Sequence, residues 1–265
     1  MQPTVRIRRA LTRVIALAAL VALAPAYTSA RAQRSSRTSD LSDDLPPRDS
    51  AMAMALLDAV RGANPVLCDF ATRSAAGQGW WDGLDVTADD ADATALQLAR
   101  WLSRGRKGTA AGIVGPLAPR LGDPDACVRR VAATLLGRTR DARAVDALLG
   151  ALRASDASER RAAALGLGLA ESAASVQPLS RALGDPDAGV RAGAAWALGA
   201  VEAKGAVAAL IGALKDADGR VRRNAARALG RIEDASAVPA LSALLRDDRD
   251  PEVRRAAAWA LGNVK

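Results

Sequence analysis

The chain has 265 residues, half of them apolar, and carries only seven aromatic side chains (five Trp, Tyr27 and Phe70). Abundant Ala, Leu and Arg with so few aromatics favour closely packed small helices over a sheet core. The formal net charge is +8 and there is no histidine, which removes the usual general base and the commonest metal ligand.

The charge is unevenly placed. Residues 1–32 hold Arg6, Arg8, Arg9, Arg13 and Arg31 and no acid, so the rest of the chain has 32 basic against 29 acidic groups. Residues 113–265 carry 23 basic and 18 acidic groups, a modest local excess. The strong basicity therefore belongs to the N-terminal segment rather than to a nucleic-acid surface.

That segment reads as an export signal. Met1 to Arg9 is basic, Val14 to Ala24 is unbroken apolar, Pro25 ends the run, and Ala30-Arg31-Ala32 offers a small-x-small cleavage site. Eleven apolar residues fall well short of the ~20 that a membrane span requires. Residues 1–32 are thus expected to be a signal peptide cut after Ala30 or Ala32, leaving a periplasmic or secreted chain with no transmembrane span. An uncleaved N-terminal anchor is the alternative.

Residues 33–49 are polar, contain Pro46-Pro47 and lack an apolar period, so they read as a flexible linker. Ser50 is placed to cap a helix through Met52, Leu56, Leu57 and Val60, ending near Gly62. Asn64 before Pro65 opens a second helix over Val66, Leu67 and Phe70. A loop with Trp80-Trp81 comes next, then a helix from Thr87 through Leu96, Leu98, Trp101 and Leu102 to Gly105. None of this repeats, whereas the chain from residue 112 does. Residues 50–111 are therefore expected to be a helical cap on the open face of the first repeat. Cys68 and Cys127 are the only cysteines; in an oxidising compartment they can join the cap to the first repeat, and two free thiols are the alternative.

From residue 112 onward one phrase recurs. Val128-Arg129 runs to Leu136-Gly137, Glu159-Arg160 to Leu167-Gly168, Val190-Arg191 to Leu198-Gly199, Val221-Arg222 to Leu229-Gly230, and Val253-Arg254 to Leu261-Gly262. A second ladder precedes it. Leu117, Leu148, Leu179, Leu210 and Leu241 are each followed four residues later by another leucine, which puts both on one helical face. Turns such as Gly122-Asp123-Pro124 separate the two runs. Each unit is therefore a helical hairpin, over about 113–137, 144–168, 175–199, 206–230 and 237–262. A fixed period near 31 residues marks a solenoid.

The phrase Asp-x-x-Val-Arg-x-x-Ala-x-x-x-Leu-Gly after a leucine helix resembles the HEAT repeats of phycobilisome lyases. The resemblance implies an all-α, right-handed α–α superhelix of five hairpins. It also implies an Asp/Arg ladder joining successive repeats, with Asp123/Arg129, Asp185/Arg191, Asp216/Arg222 and Asp248/Arg254 as the matching pairs here. The second repeat departs from it, with Ala154 at the acid position and Glu159 before Arg160 in place of valine. Independently of the resemblance, Asp125, Asp156, Asp187, Asp218 and Asp250 stand three residues before each phrase, where a carboxylate caps a helix.

Function is expected where the repeats differ. Counting from the Val position, +4 and +8 share its buried stripe, whereas +2 and +6 point nearly the opposite way at roughly 100° per residue. Position +2 holds Arg130, Arg161, Ala192, Arg223 and Arg255; position +6 holds Thr134, Leu165, Trp196, Arg227 and Trp259. If second helices line a concave side, Arg130, Arg161, Trp196, Arg223, Arg227, Arg255 and Trp259 form a strip for an acidic or aromatic segment of a partner protein. The competing reading is that the two indoles fill gaps between alanine-rich helices. No catalytic residue, metal site or cofactor is expected. A lyase-like or chaperone-like role and nucleic-acid binding are the alternative functions, and self-association through the last repeat is a further expectation.

Overall fold

The computed structural model describes residues 48–75 and 112–264. The leader, most of the linker, the Trp80-Trp81 loop and the helix expected from Thr87 lie outside them. Among the described residues there are helices and turns but no strand, and no helix is long and apolar enough to cross a membrane. The chain divides into two compact units at Leu135 and Leu136.

In the first unit, helix α1 (Arg48–Ala59) starts two residues before Ser50. Ser50 is buried inside the helix rather than capping it, so the helix enters the segment read as linker. The chain then turns through Gly62 at φ +70°, a conformation glycine adopts without steric cost. Helix α2 (Pro65–Ala75) starts as Asn64-Pro65 predicted, with the Cys68 N–H donating to the Asn64 carbonyl at 2.9 Å.

The first hairpin's leading helix is short. Helix α3 (Val114–Leu117) tightens into a 3-10 turn over Ala118–Gly122. Pro119 has no N–H to continue the α-helical ladder, which accounts for the change. Helix α4 (Ala126–Thr139) comes next and contains the division between the two units. The unit's core includes Leu56, Leu57, Leu117 and Val128, all fully buried.

The second unit is four hairpins in register. They comprise α5 (Ala142–Ala151) with α6 (Ala157–Ala170), α7 (Val176–Ala182) with α8 (Ala188–Ala200), α9 (Val207–Ala213) with α10 (Gly219–Ile232), and α11 (Val238–Asp247) with α12 (Pro251–Asn263). Each leading helix packs on its own second helix, and α6, α8, α10 and α12 pack in succession. The two predicted apolar ladders are the core. Leu148, Leu179, Leu210 and Leu241 are sealed, as are Val190, Val221 and Val253 and Leu167, Leu198 and Leu229. Burial of each such leucine stabilises by about 1.5–3 kcal/mol.

The recurring glycines do not end the helices. All lie inside them, and the chain leaves the first four of these helices through residues in the left-handed region, Arg140, Glu171, Glu202 and Glu233, with φ between 51° and 58°, whereas α12 ends at Val264 with φ −73°. The glycines instead permit close helix approach. A Cβ on Gly199 would lie 2.7 Å from the Ala228 Cα, and one on Gly230 would lie 2.6 Å from the Ala260 Cα. At Gly168 it would meet Ala197 and the Trp196 ring, and at Gly137 the Gly166 carbonyl. Gly262, in the last hairpin, faces nothing within 4 Å.

These contacts predict opposite outcomes for the same substitution. Gly199→Ala should destabilise by about 1–3 kcal/mol through backbone displacement. Gly262→Ala should be neutral or stabilise by up to about 1 kcal/mol through helix propensity. Urea or thermal unfolding of the two variants distinguishes them, and equal effects would contradict the close-approach role.

Candidate interaction face and the ladder beneath it

The ladder joins successive repeats as the resemblance implies, but each arginine holds the aspartate of the following repeat rather than the one matched to it in its own. Arg160 holds Asp185 through Nε and Nη2, both at 2.8 Å. Arg191 holds Asp216 at 2.7 and 2.9 Å, and Arg222 holds Asp248 at 2.7 and 2.9 Å. Within its own repeat each arginine uses Nη1 only, to donate to backbone carbonyls; Arg191 reaches the Asp185 and Pro186 carbonyls at 2.9 and 3.1 Å. The planar fork can satisfy a carboxylate and a turn at once, which a lysine cannot. Arg129 makes the same carbonyl contacts to Asp123 and Pro124. Arg254 bonds the Asp248 carbonyl at 2.8 Å and the Arg249 carbonyl at 3.3 Å.

Each ladder aspartate also accepts from the backbone N–H two residues on, as Asp216 does from Asp218 at 2.8 Å. The five capping aspartates act as their spacing implied. Asp125 accepts from Cys127 and Val128, Asp156 from Ser158 and Glu159, Asp187 from Val190, Asp218 from Arg220 and Asp250 from Glu252. Hydrogen bonds from the partner arginines hold the carboxyls of Asp185, Asp216 and Asp248 below their ordinary range, with burial opposing.

The N-terminal segment takes part in this chemistry, which its sequence did not reveal. Arg61, after α1, grips Asp123 with Nη1 and Nη2 at 2.9 and 2.8 Å. That hydrogen bond lowers the Asp123 carboxyl to about 2 against the cost of burial. The Gly62 N–H donates to Asp125 at 2.7 Å. Cys68 and Cys127 form a disulfide across 59 residues, with Cα atoms 5.6 Å apart.

The anticipated strip of +2 and +6 residues is only partly a free surface. Arg130 is engaged within the first unit, to Thr72 at 3.0 Å and Asp69 at 2.7 Å. Thr134 and Ala192 are buried, since residues this small on closely spaced helices do not clear their neighbours. Arg161 pairs with Asp187 at 3.0 Å and Arg255 with Glu252 at 2.8 Å. Trp196 is half-buried and its ring lies over Gly168. Trp259 packs over Gly230 in the same manner, yet remains 48% exposed.

Two arginines remain, both on α10. Arg223 is half-buried and its Nε is enclosed without a hydrogen-bond partner, and Arg227 is exposed. Arg231, a turn beyond and also exposed, extends the row and was not anticipated. Asn224 fixes the helix by donating to the Ala192 carbonyl at 2.9 Å. Among the described residues, no group of three or more His, Cys, Asp or Glu is placed to hold a metal.

Stacked helical hairpins joined by an Arg–Asp ladder define a repeat scaffold of the α-solenoid class. The family profile of HEAT repeats matches residues 84–168, 114–199, 146–226 and 176–262; the chain belongs to the HEAT-repeat family. Among solved structures it is similar to two engineered proteins, at 23% identity and TM-score 0.50 over 80% of this chain and 96% of that one, and at 22% and 0.51 over 81% and 98%. The complex of CpcE and CpcF of phycocyanin lyase from Nostoc is similar at 20% identity and TM-score 0.48, over 86% of this chain and 81% of that one. No curated protein matches the sequence.

The ladder geometry makes stability depend on acid. Asp123 ionises at about 2 when folded, against 3.8 for an unperturbed carboxyl, so its stabilisation is complete above about pH 4 and is lost as the pH falls toward 2. The lowered ladder carboxyls add in the same direction. Asp216→Asn should cost about 1–3 kcal/mol near neutrality and should flatten this acid dependence in urea titrations at successive pH values. For the disulfide, Cys68→Ser/Cys127→Ser should lower stability by about 4 kcal/mol in the same assay, the chain-entropy value for a loop of this length.

Proposed function

We propose that this chain is an exported, non-enzymatic scaffold that binds a partner protein through the face of α8, α10 and α12. The observation that carries the reading is the inequality among its arginines. Arg130, Arg161 and Arg255 each have an acid within the chain, whereas Arg223 and Arg227 have none among the described residues. Like charges four residues apart on one helix destabilise it, so a carboxylate-bearing segment laid across α10 would offset a cost the isolated chain bears. Trp196 and Trp259 flank this row on the neighbouring helices, and Trp with Arg is the composition of binding hot spots. Trp259 offers its exposed ring for cation–π or aromatic contact with the bound segment.

Export is supported by the leader pattern of residues 1–32 and by the Cys68–Cys127 disulfide, which persists in oxidising compartments. Mass spectrometry of the secreted chain should place its first residue at Arg31 or Gln33. Intact Met1 on a membrane-bound chain would instead indicate an anchor.

The binding reading is tested with synthetic Glu/Tyr-rich peptides and the full chain. Arg223→Ala/Arg227→Ala should weaken peptide binding at least about tenfold while the helical circular dichroism is retained. Arg161→Ala, whose charge is already paired with Asp187, should change it less than about twofold. Tighter binding of duplex DNA with a steep loss on adding salt would replace this reading with a nucleic-acid one.

A further inference from the structure

Three free arginines run along one helix of the second unit rather than around its stack. On α10, Arg223, Arg227 and Arg231 stand four residues apart, so their side chains share a face and step by about 6 Å along the axis. Arg227 and Arg231 are exposed and Arg223 is half-buried. Among the described residues none of the three has an acid within ion-pair distance, and the Arg223 Nε is enclosed without an acceptor. Arg220, at the start of the same face, is already held by Asp218 at 2.8 Å.

Neighbouring helices do not continue this charge. At the same three levels α8 carries Ala192, Trp196 and Ala200, and α12 carries Arg255, Trp259 and Asn263. Arg255 is the one charged group in these two sets, and Glu252 pairs with it at 2.8 Å. An acidic segment over α10 can follow the helix axis or the line of the stack. Along the stack it meets one free arginine at any level; along the axis it meets three.

We propose, resting on the acidic-segment reading of this face, that the partner supplies an extended segment with carboxylates at alternate positions, Glu-x-Glu-x-Glu, lying along α10 with one carboxylate on each arginine. Side chains on one face of a strand repeat every two residues, about 6.6 Å, which keeps step with the arginines over three positions. Each guanidinium fork takes its carboxylate through two parallel N–H donors. Filling the row offsets the repulsion between like charges four residues apart. A helical ligand suits the face poorly, because helices dock through apolar anchors in a groove, and the outward side of α10 offers Arg220, Arg223, Asn224, Arg227 and Arg231.

The test uses the full disulfide-bonded chain and two heptapeptides of one composition, alternating Thr-Glu-Thr-Glu-Thr-Glu-Thr and blocked Thr-Thr-Glu-Glu-Glu-Thr-Thr. Threonine favours the extended form in both. By calorimetry the alternating peptide should bind at least about fivefold more tightly than the blocked one, since only its spacing matches the row. Arg231→Ala should leave helical circular dichroism unchanged and weaken the alternating heptapeptide at least about threefold by removing one of three linked contacts. The same variant should weaken Thr-Glu-Thr-Glu-Thr no more than about twofold, because that peptide loses one of two registers and keeps the other on Arg223 and Arg227. Equal binding of the two heptapeptides, or an alternating heptapeptide indifferent to Arg231→Ala, would overturn this arrangement. If Arg223→Ala/Arg227→Ala still removes that binding, the acidic-segment reading stands. No binding of either heptapeptide would also overturn the arrangement, and with no binding of the Glu/Tyr-rich peptides the acidic-segment reading falls as well. Tighter binding of single-stranded oligothymidylate than of the alternating peptide would overturn it by naming a phosphate chain as the occupant.

Discussion

One guanidinium geometry ties successive hairpins of the second unit together. An arginine in the first turn of a second helix is poorly placed for the helix dipole, whose positive end lies there. It remains there because its fork serves two masters. One nitrogen closes the turn of its own hairpin, and the other two hold the aspartate that organises the next turn. Register passes along the stack because each aspartate is fixed simultaneously by a neighbour's side chain and by its own backbone. Partial burial keeps these pairs from being screened as exposed ion pairs are.

Close spacing of the second helices follows from the same repeat. Gly168, Gly199 and Gly230, with Ala197, Ala228 and Ala260 opposite them, bring the helix backbones near enough that aromatic side chains have little room inside. This explains why Trp196 and Trp259 lie across the seams, over Gly168 and Gly230, rather than in the core. A ring laid over a seam covers apolar backbone and still presents a face outward, as Trp259 does. Packing and exposure are therefore both true of these side chains, and the two readings of the strip are not fully opposed.

Much of this was legible in the sequence because a period repeated five times averages out local ambiguity. Hairpin number, the sealed leucine and valine stripes and the five capping aspartates all depend on spacing alone. The direction of the ladder was not legible, since Asp185 is as near in sequence to Arg191 as geometry needs and only three dimensions show that it faces Arg160. Arg61 carried no periodic signal, because it lies in a segment unlike the repeats. The left-handed helix exits were not legible either, because they fall on Arg140 and on Glu171, Glu202 and Glu233, residues not usually found at φ near +55°. The strip was overcounted for a similar reason, since the acids that engage Arg130, Arg161 and Arg255 cannot be read from helical phase.

A double-mutant cycle on Arg191 tests the offset ladder most directly. Stabilities of Arg191→Ala, Asp216→Ala and the pair, measured by urea unfolding, should show a coupling energy of at least about 1 kcal/mol, and the parallel cycle of Arg191 with Asp185 should show close to none. Coupling of Arg191 to Asp185 in place of Asp216 would contradict the offset.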